Sequence, residues 1–390
     1  MITFLFFLII AIAQLSLGLS LPSLPEISEL LHFNEIDEAN YTLYFLCGIF
    51  ISQVFVGFLF SRLSKFKLII LGLTIFLFGS TLTISPCSGN VFLLGRAIQG
   101  VGVGSSTVLV RALLKDFFSG KQYLMTGSKL YSYNALIPAV SPVIGAFIYV
   151  YFGVNSAPYL LSLITLVVIL LLLINRREFL FTERKDRLEA NYKTRCQYFS
   201  IIKNKTFLGL TVVSGLIYSG EIVFISRSQT ILQKELLETP VVAGSIVTFT
   251  IFGFFIGAQL SKKIVTNKNI IKIIHSGVFI CLLSSVLGFG YKSIPINTSI
   301  VIFFTMSLYM FGAGLVYINA SLLAISEVAK FSGVASSLLS IFQGALVLIV
   351  ANTKLGISML DEYLVIQILC SLLALLIIIC LVKKRSEYVL

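Results

Sequence analysis

Almost the whole sequence is a succession of apolar runs of about 20 residues, each long enough to cross a hydrocarbon core of roughly 30 Å as a helix. A backbone in hydrocarbon must satisfy its own hydrogen bonds, which leaves helices or a closed barrel. The runs do not alternate polar and apolar residues, so a barrel is excluded. The predicted spans are residues 2–23, 41–60, 67–86, 90–113, 130–151, 157–174, 206–226, 240–260, 272–291, 297–322, 333–353 and 363–382, hereafter spans 1 to 12. The first run has no basic residue ahead of it and is followed directly by further spans, so it reads as span 1 and not as a leader. Composition agrees: 12% of the residues are charged and 57% hydrophobic, with a mean hydropathy of +0.99, which no water-soluble fold can bury.

A net charge of +12 raises the question of a nucleic-acid partner, and the placement of the charges answers it. With an even number of spans and the amino terminus inside, 24 Lys and Arg fall on the inner side, nine of them between Arg176 and Lys205. Four, Arg227, Lys234, Lys292 and Lys354, fall outside, and Arg96 lies within a span. This bias is what topology alone produces, and it puts both termini in the cytoplasm and gives nucleic acid no role. The six cysteines are scattered, and His32 and His275 are far apart, so no metal site or cofactor is expected.

The connection at 175–205 is long and densely charged, and it divides the chain into bundles at 1–174 and 206–390. Two six-helix bundles joined by a cytoplasmic linker are the arrangement of a secondary transporter with its substrate site between the halves. No Gly-x-x-x-x-Gly-Lys-Ser/Thr motif supplies nucleotide energy, and no His/Cys/Asp/Glu constellation suggests an enzyme.

Five stretches resemble the major facilitator superfamily, and within it the Bcr/CflA-type drug-resistance subfamily. Gly57-Phe-Leu59-Phe-Ser61-Arg62-Leu-Ser64-Lys65-Phe-Lys67 is similar to G-x-L-a-D-r-x-G-r-k, with Ser61 and Ser64 replacing Asp and Gly. Arg96-Ala-Ile-Gln99-Gly100-Val-Gly102, continuing to Arg111-Ala-Leu-Leu-Lys115-Asp116, resembles R-x-x-Q-G-x-G followed by R-A-x-x-x-D. Pro138-Ala-Val-Ser141-Pro142-Val-Ile-Gly145 is similar to the exporter pattern P-x-x-G-P-x-x-G, with Ser141 for the first Gly. In the second half, Gly333-Val-Ala335-Ser336 through Gln343-Gly344 resembles G-x-A-S-A-L-L-G-x-x-Q. Leu21-Pro22-Ser-Leu-Pro25 is similar to L-P-A-L-P, but where the subfamily carries an Asp four residues before the first Pro this chain has Gly18.

The resemblance implies an all-α membrane protein of the major facilitator fold, with twelve helices in two six-helix bundles, in a bacterial inner membrane. It implies a monomer that exports a small organic molecule or drug by proton-driven alternating access. Gly57, Arg62, Arg111, Asp116, Pro138, Pro142 and Gly145 would serve the conformational change. The departure at Gly18 leaves a dedicated exporter of a metabolite, such as a siderophore or amino acid, as an alternative; a non-transporting receptor or scaffold is the alternative from another class.

An ionisable group within a span is costly and is a functional candidate by default. Arg96 in span 4 and Glu221 in span 7 qualify, at similar predicted depth, and are expected to meet across a cavity as an anion contact and a proton carrier. Gln14, Gln99, Asn134, Asn319 and Gln343 are polar groups within spans that either orient a substrate or bond neighbouring helices. Tyr131, Tyr133, Tyr218 and Tyr317 would add aromatic walls.

The charge bias predicts that a cysteine placed at position 190 of a cysteine-free variant is modified by membrane-impermeant reagent only after the inner face is opened. Labelling of intact cells at that position would invert the topology.

Overall fold

The structure, a computed structural model, describes residues 2–33, 35–59, 64–84, 86, 88–118, 120–179, 201–264, 270–293, 296–328 and 332–387. Ser61, Arg62 and residues 180–200 of the charged connection lie outside these, as do the side chains of Arg111, Lys115, Asp116, Tyr131, Tyr133 and Asn134 and the surroundings of Gly57.

Among the described residues, twelve long helices stand where the twelve spans are predicted. Spans 1 to 6 are Ile2–Gly18, Glu35–Leu59, Lys65–Ile84, Gly89–Phe117, Gly120–Phe152 and Ser156–Ile174. Spans 7 to 12 are Lys205–Gln229, Pro240–Ile264, Ile270–Phe289, Thr298–Glu327, Ser332–Ala351 and Met359–Glu387. Eight of these helical stretches are long and apolar enough to cross a membrane, and spans 1, 5 and 11 contain shorter apolar segments.

Three boundaries differ from expectation. Span 1 ends at Gly18 and not at residue 23, because Pro22 and Pro25 cannot continue its ladder; a turn held by Ser23 Oγ donating to Ser20 O (3.0 Å) leads into a short helix, Leu24–Leu30. Span 5 begins ten residues earlier than predicted, at Gly120, because its polar first turns are helical as well. Span 7 does not stop at residue 226: it runs to Gln229 and continues as a π-helical turn, Thr230–Glu235, whose Ile231 and Leu232 are buried. Helix starts are fixed locally, with Ser88 accepting from Val91 N (3.4 Å) and Asn204 from Phe207 N (2.9 Å).

The chain forms two compact units, one of residues 1–192 with 239–244 and one of 193–238 with 245–390. Each is built around one central helix. In the first, span 4 packs between spans 2 and 3; in the second, span 10 packs against spans 7 and 9 and meets span 8. The contact surfaces are backbone. A Cβ built on Gly102 of span 4 falls 2.6 Å from Phe76 N of span 3, and one on Gly48 of span 2 falls 2.8 Å from Val101 N. The second unit repeats this: a Cβ on Gly312 of span 10 falls 2.8 Å from Gly277 O of span 9, and one on Gly314 falls 2.9 Å from Ala258 N of span 8. Lipid tails are as apolar as leucine, so such close approach, and not hydrophobic exclusion, joins the helices. Many large apolar side chains point outward, Leu163, Leu170 and Ile349 among them.

Gly104 and Gly145 test this packing. A Cβ on Gly104 meets Ser52 and lies 2.7 Å from Ile49 Cα, and one on Gly145 lies 2.8 Å from Leu19 Cα. Leu at either position is expected to abolish folded yield, since overpacking by even a few atoms costs about 1–3 kcal/mol. Gly290, with nothing within 4 Å of its Cβ position, is expected to accept Leu with unchanged yield in size-exclusion chromatography. Equal yields for all three variants would refute the packing account.

Candidate functional site

Arg96 comes from the first third of the first unit's central helix, Gly89–Phe117, and is 2% exposed. Its Nη1 donates to Gln99 Oε1 (2.8 Å) and to Ser16 Oγ (3.5 Å), and its Nη2 donates to Ser16 O (3.2 Å). The guanidinium lies 4.3 Å from the Tyr41 ring centre and 4.6 Å from that of Phe45. Gln99 is held in turn, its Nε2 donating to Ser80 Oγ (3.0 Å) and Thr83 Oγ1 (3.2 Å). Arg96 and Gln99 therefore form one network that binds span 4 to spans 1 and 3. Gln14, on span 1, is half-buried and makes no hydrogen bond among the described residues.

Span 5 carries both predicted prolines inside a continuous helix. Pro142 has no N–H to give the carbonyl of Pro138, and Ser141 Oγ donates to that carbonyl instead (3.3 Å). The same hydroxyl occupies the space beside span 1: a Cβ built on Gly18 collides with Ser141 Oγ and lies 2.7 Å from Ser141 Cβ. Two of the departures from the family patterns, Gly18 for Asp and Ser141 for Gly, touch each other. A side chain at position 18 and one at position 141 are alternatives in one volume.

In the second unit, Glu221 is half-buried on span 7 and forms neither an ion pair nor a hydrogen bond with any described residue. One turn before it, the Tyr218 ring packs 5.2 Å from that of Tyr317 on span 10, and Tyr317 is 6.3 Å from Phe254 on span 8. Tyr218, Cys281 and Tyr309 lie within electrostatic reach of the carboxylate. Gln343 of span 11 donates to Ser214 Oγ (2.8 Å) and Ser321 Oγ (3.2 Å) and accepts from Tyr317 OH (3.4 Å). Asn319 donates to Ser261 Oγ (2.5 Å) and to Leu315 O (2.6 Å). Gln343 and Asn319 thus bond helices to one another within the unit, while Glu221 has no ion pair or hydrogen bond among the described residues.

Arg227 is a third intramembrane charge, one that sequence reasoning assigned to a loop. It pairs with Glu362 of span 12 (Nη1 to Oε1, 2.7 Å), close as an ion pair though not aligned as a hydrogen bond, with side chains 5% and 10% exposed. Arg227 Nη2 also donates to Ala351 O (3.4 Å), and Leu355 N donates to Glu362 Oε2 (3.3 Å), so the pair ties span 7 to the turn between spans 11 and 12. Ile231 and Leu232, an apolar pair one turn beyond Arg227, were the available signal that span 7 continues past it.

Residues 6–351 match the family described as the Major Facilitator Superfamily. The chain belongs to that superfamily. As a major facilitator it is a multi-pass membrane transporter. The multidrug resistance protein MdtL of Salmonella heidelberg (strain SL476) is 24% identical over 391 residues, covering 97% of this chain and 95% of the relative. MdtL of Salmonella typhimurium (strain LT2) is 24% identical over 392 residues, with the same coverage. Among solved structures, a variant of the peptide transporter POT in complex with alafosfalin superposes with a TM-score of 0.77 at 14% identity, covering 98% of this chain and 93% of that one. POT in complex with sulfate gives a TM-score of 0.75 at 12% identity, covering 98% and 94%. At these identities the likeness to solved structures is one of fold.

The shared volume at positions 18 and 141 gives a double-mutant cycle for this major facilitator. Gly18→Ala alone is expected to lower stability by about 1–3 kcal/mol. In the Ser141→Gly background the same change is expected to be nearly neutral, a coupling read from thermal unfolding of the four proteins. Additive effects would mean that the two side chains do not compete.

Proposed function

We propose that this major facilitator exports lipophilic, preferentially cationic, small organic molecules in exchange for protons, with Glu221 as the group that alternately binds proton and substrate. The observation that carries the reading is the isolation of Glu221: it is half-buried, has no ion pair or hydrogen bond among the described residues, and lies one turn from Tyr218 and the ring of Tyr317. An intramembrane carboxylate without a counter-ion is expensive while ionised and is relieved by a proton or by a bound cation. Competition between the two for one carboxylate is antiport. Aromatic faces beside it attract cations and accept flat apolar bodies without a fixed hydrogen-bond pattern, which suits a broad substrate range.

The multidrug resistance relatives support export of drugs, and the Pro138, Pro142 and Gly145 pattern of span 5 favours the same direction. Gly18 supports the choice of carrier: span 1 has no carboxylate at the position where the Bcr/CflA-type pattern has one, so the burden falls on span 7. In this reading residues 1–174 and 206–390 are the two rocking bundles, joined on the cytoplasmic side by 175–205. Arg96 and Gln99 hold the first bundle's shape, Gln343 and Asn319 the second's, and Gln14 and Asn134 offer amides to the substrate. Arg62, Arg111, Asp116 and Gly57 belong to the cytoplasmic ends, where the bundles must part and close.

The test is uptake of ethidium into inside-out proteoliposomes under an imposed pH gradient. Wild type is expected to accumulate the dye above equilibrium with a steep pH dependence. Glu221→Gln is expected to fold and to equilibrate the dye at best, with accumulation reduced at least tenfold and the pH dependence gone. Undiminished uphill uptake by the variant removes Glu221 from the mechanism.

A further inference from the structure

Arg96 is a buried cation whose partners are all neutral. Its hydrogen bonds go to an amide oxygen, a hydroxyl and a main-chain carbonyl, and its faces lie against two rings. Among the described residues no carboxylate is within ion-pairing distance of it, and its Nε is buried with no acceptor. The surroundings are apolar: the Tyr41 ring that covers the guanidinium stacks on Phe92 (5.7 Å between centres), and Phe92 meets Phe33. A guanidinium keeps its charge in such a place, and an uncompensated buried charge is among the most costly features a fold can carry.

Beside Arg96 is a pocket with about 10 Å³ of water-accessible space, lined among others by Ser20, Tyr41, Thr83, Arg96, Gln99 and Asn155. That is a space of the size of one water molecule or small ion. Two of its lining residues are Arg96, whose Nε has no acceptor among the described residues, and Ser20, which is buried. Thr83 and Gln99 are committed to each other and to Ser80, so their own demands do not compete for an occupant. A water molecule would accept from Nε but leave the charge unbalanced. An anion answers both deficits.

We propose that this pocket is a binding site for a small monovalent anion of the halide class, held by the Arg96 guanidinium and the Ser20 side chain that line it. Bound there, the ion neutralises the first unit's buried cation and fastens the end of span 1, through Ser20, to span 4. It is a resident counter-ion, separate from the proton and substrate assigned to Glu221, and it stands whether or not that assignment does.

The test is thermal unfolding of the purified full-length protein in detergent at constant ionic strength, with sodium isethionate replaced stepwise by sodium chloride or bromide. Ligand that binds only the folded state raises Tm in a saturable way. Wild type is expected to gain a few degrees in either halide and to saturate, while sulfate, too large for the pocket, does nothing. Ser20→Ala keeps the fold and is expected to need a severalfold higher chloride concentration for the same shift. Arg96→Gln, which removes the need for a counter-charge, is expected to lose the halide response altogether; if it does not fold, the Ser20→Ala comparison decides. Crystals grown in bromide are expected to show an anomalous peak beside Nε. Equal Tm in isethionate and chloride for wild type, a chloride response unchanged in Ser20→Ala, or a bromide-free pocket would each overturn the proposal.

Discussion

Everything in this fold depends on helices approaching until backbone touches backbone. In hydrocarbon the exclusion of apolar side chains gives no reason for two helices to meet, and the remaining attractions fall off within a fraction of an ångström. Gly102 against Phe76, Gly48 against Val101, and Gly312 against Gly277 hold the central helices at that distance. Because both units use the same device at corresponding helices, the two halves of the chain read as variations on one packing scheme. Polar residues are then free to be few and specific: Gln99, Asn319 and Gln343 each bond neighbouring helices where the backbones are already close.

Close packing also explains why the departures from the family pattern come together. A hydroxymethyl group at position 141 repairs the carbonyl that Pro142 leaves unbonded, and it takes the space that a side chain at position 18 would need. Ser141 therefore requires glycine at 18.

The helices were legible in the sequence because lipid imposes a length and a composition that little else produces, and errors were confined to helix ends, where proline, a further apolar pair or polar helical turns shift the boundary. Arg96 and Gln99 were legible as residue types out of place in a span; that they bond each other, three apart on one helix, was not anticipated, since Arg96 was expected to meet Glu221. Partners distant in sequence were not legible. Ser16 with Arg96, Ser214 with Gln343, and Gly18 with Ser141 are tertiary facts. Arg227 and Glu362 were missed for a different reason: each lies at the end of an apolar run, where a charge is ordinarily solvated, and only the continuation of span 7 to Glu235 buries the pair.

The three intramembrane charge sites are handled in three ways, and the difference bears on which one can take part in a cycle. Arg227 and Glu362 are matched, and removing one partner of such a buried pair costs about 3–5 kcal/mol. A group held that firmly is a poor candidate for repeated release, so this pair fastens span 7 to span 12. Arg96 has its direction fixed by Gln99, Ser16 and two rings, and a change in its position would disturb spans 1, 2, 3 and 4 together. Glu221 alone has no interaction to give up among the described residues. In the proposed reading its energy depends mainly on whether a proton or a cation is bound. A site whose free energy is set by its ligands is the one at which alternating access can be coupled to a gradient, because occupancy changes its cost while the helices around it stay bonded as they were.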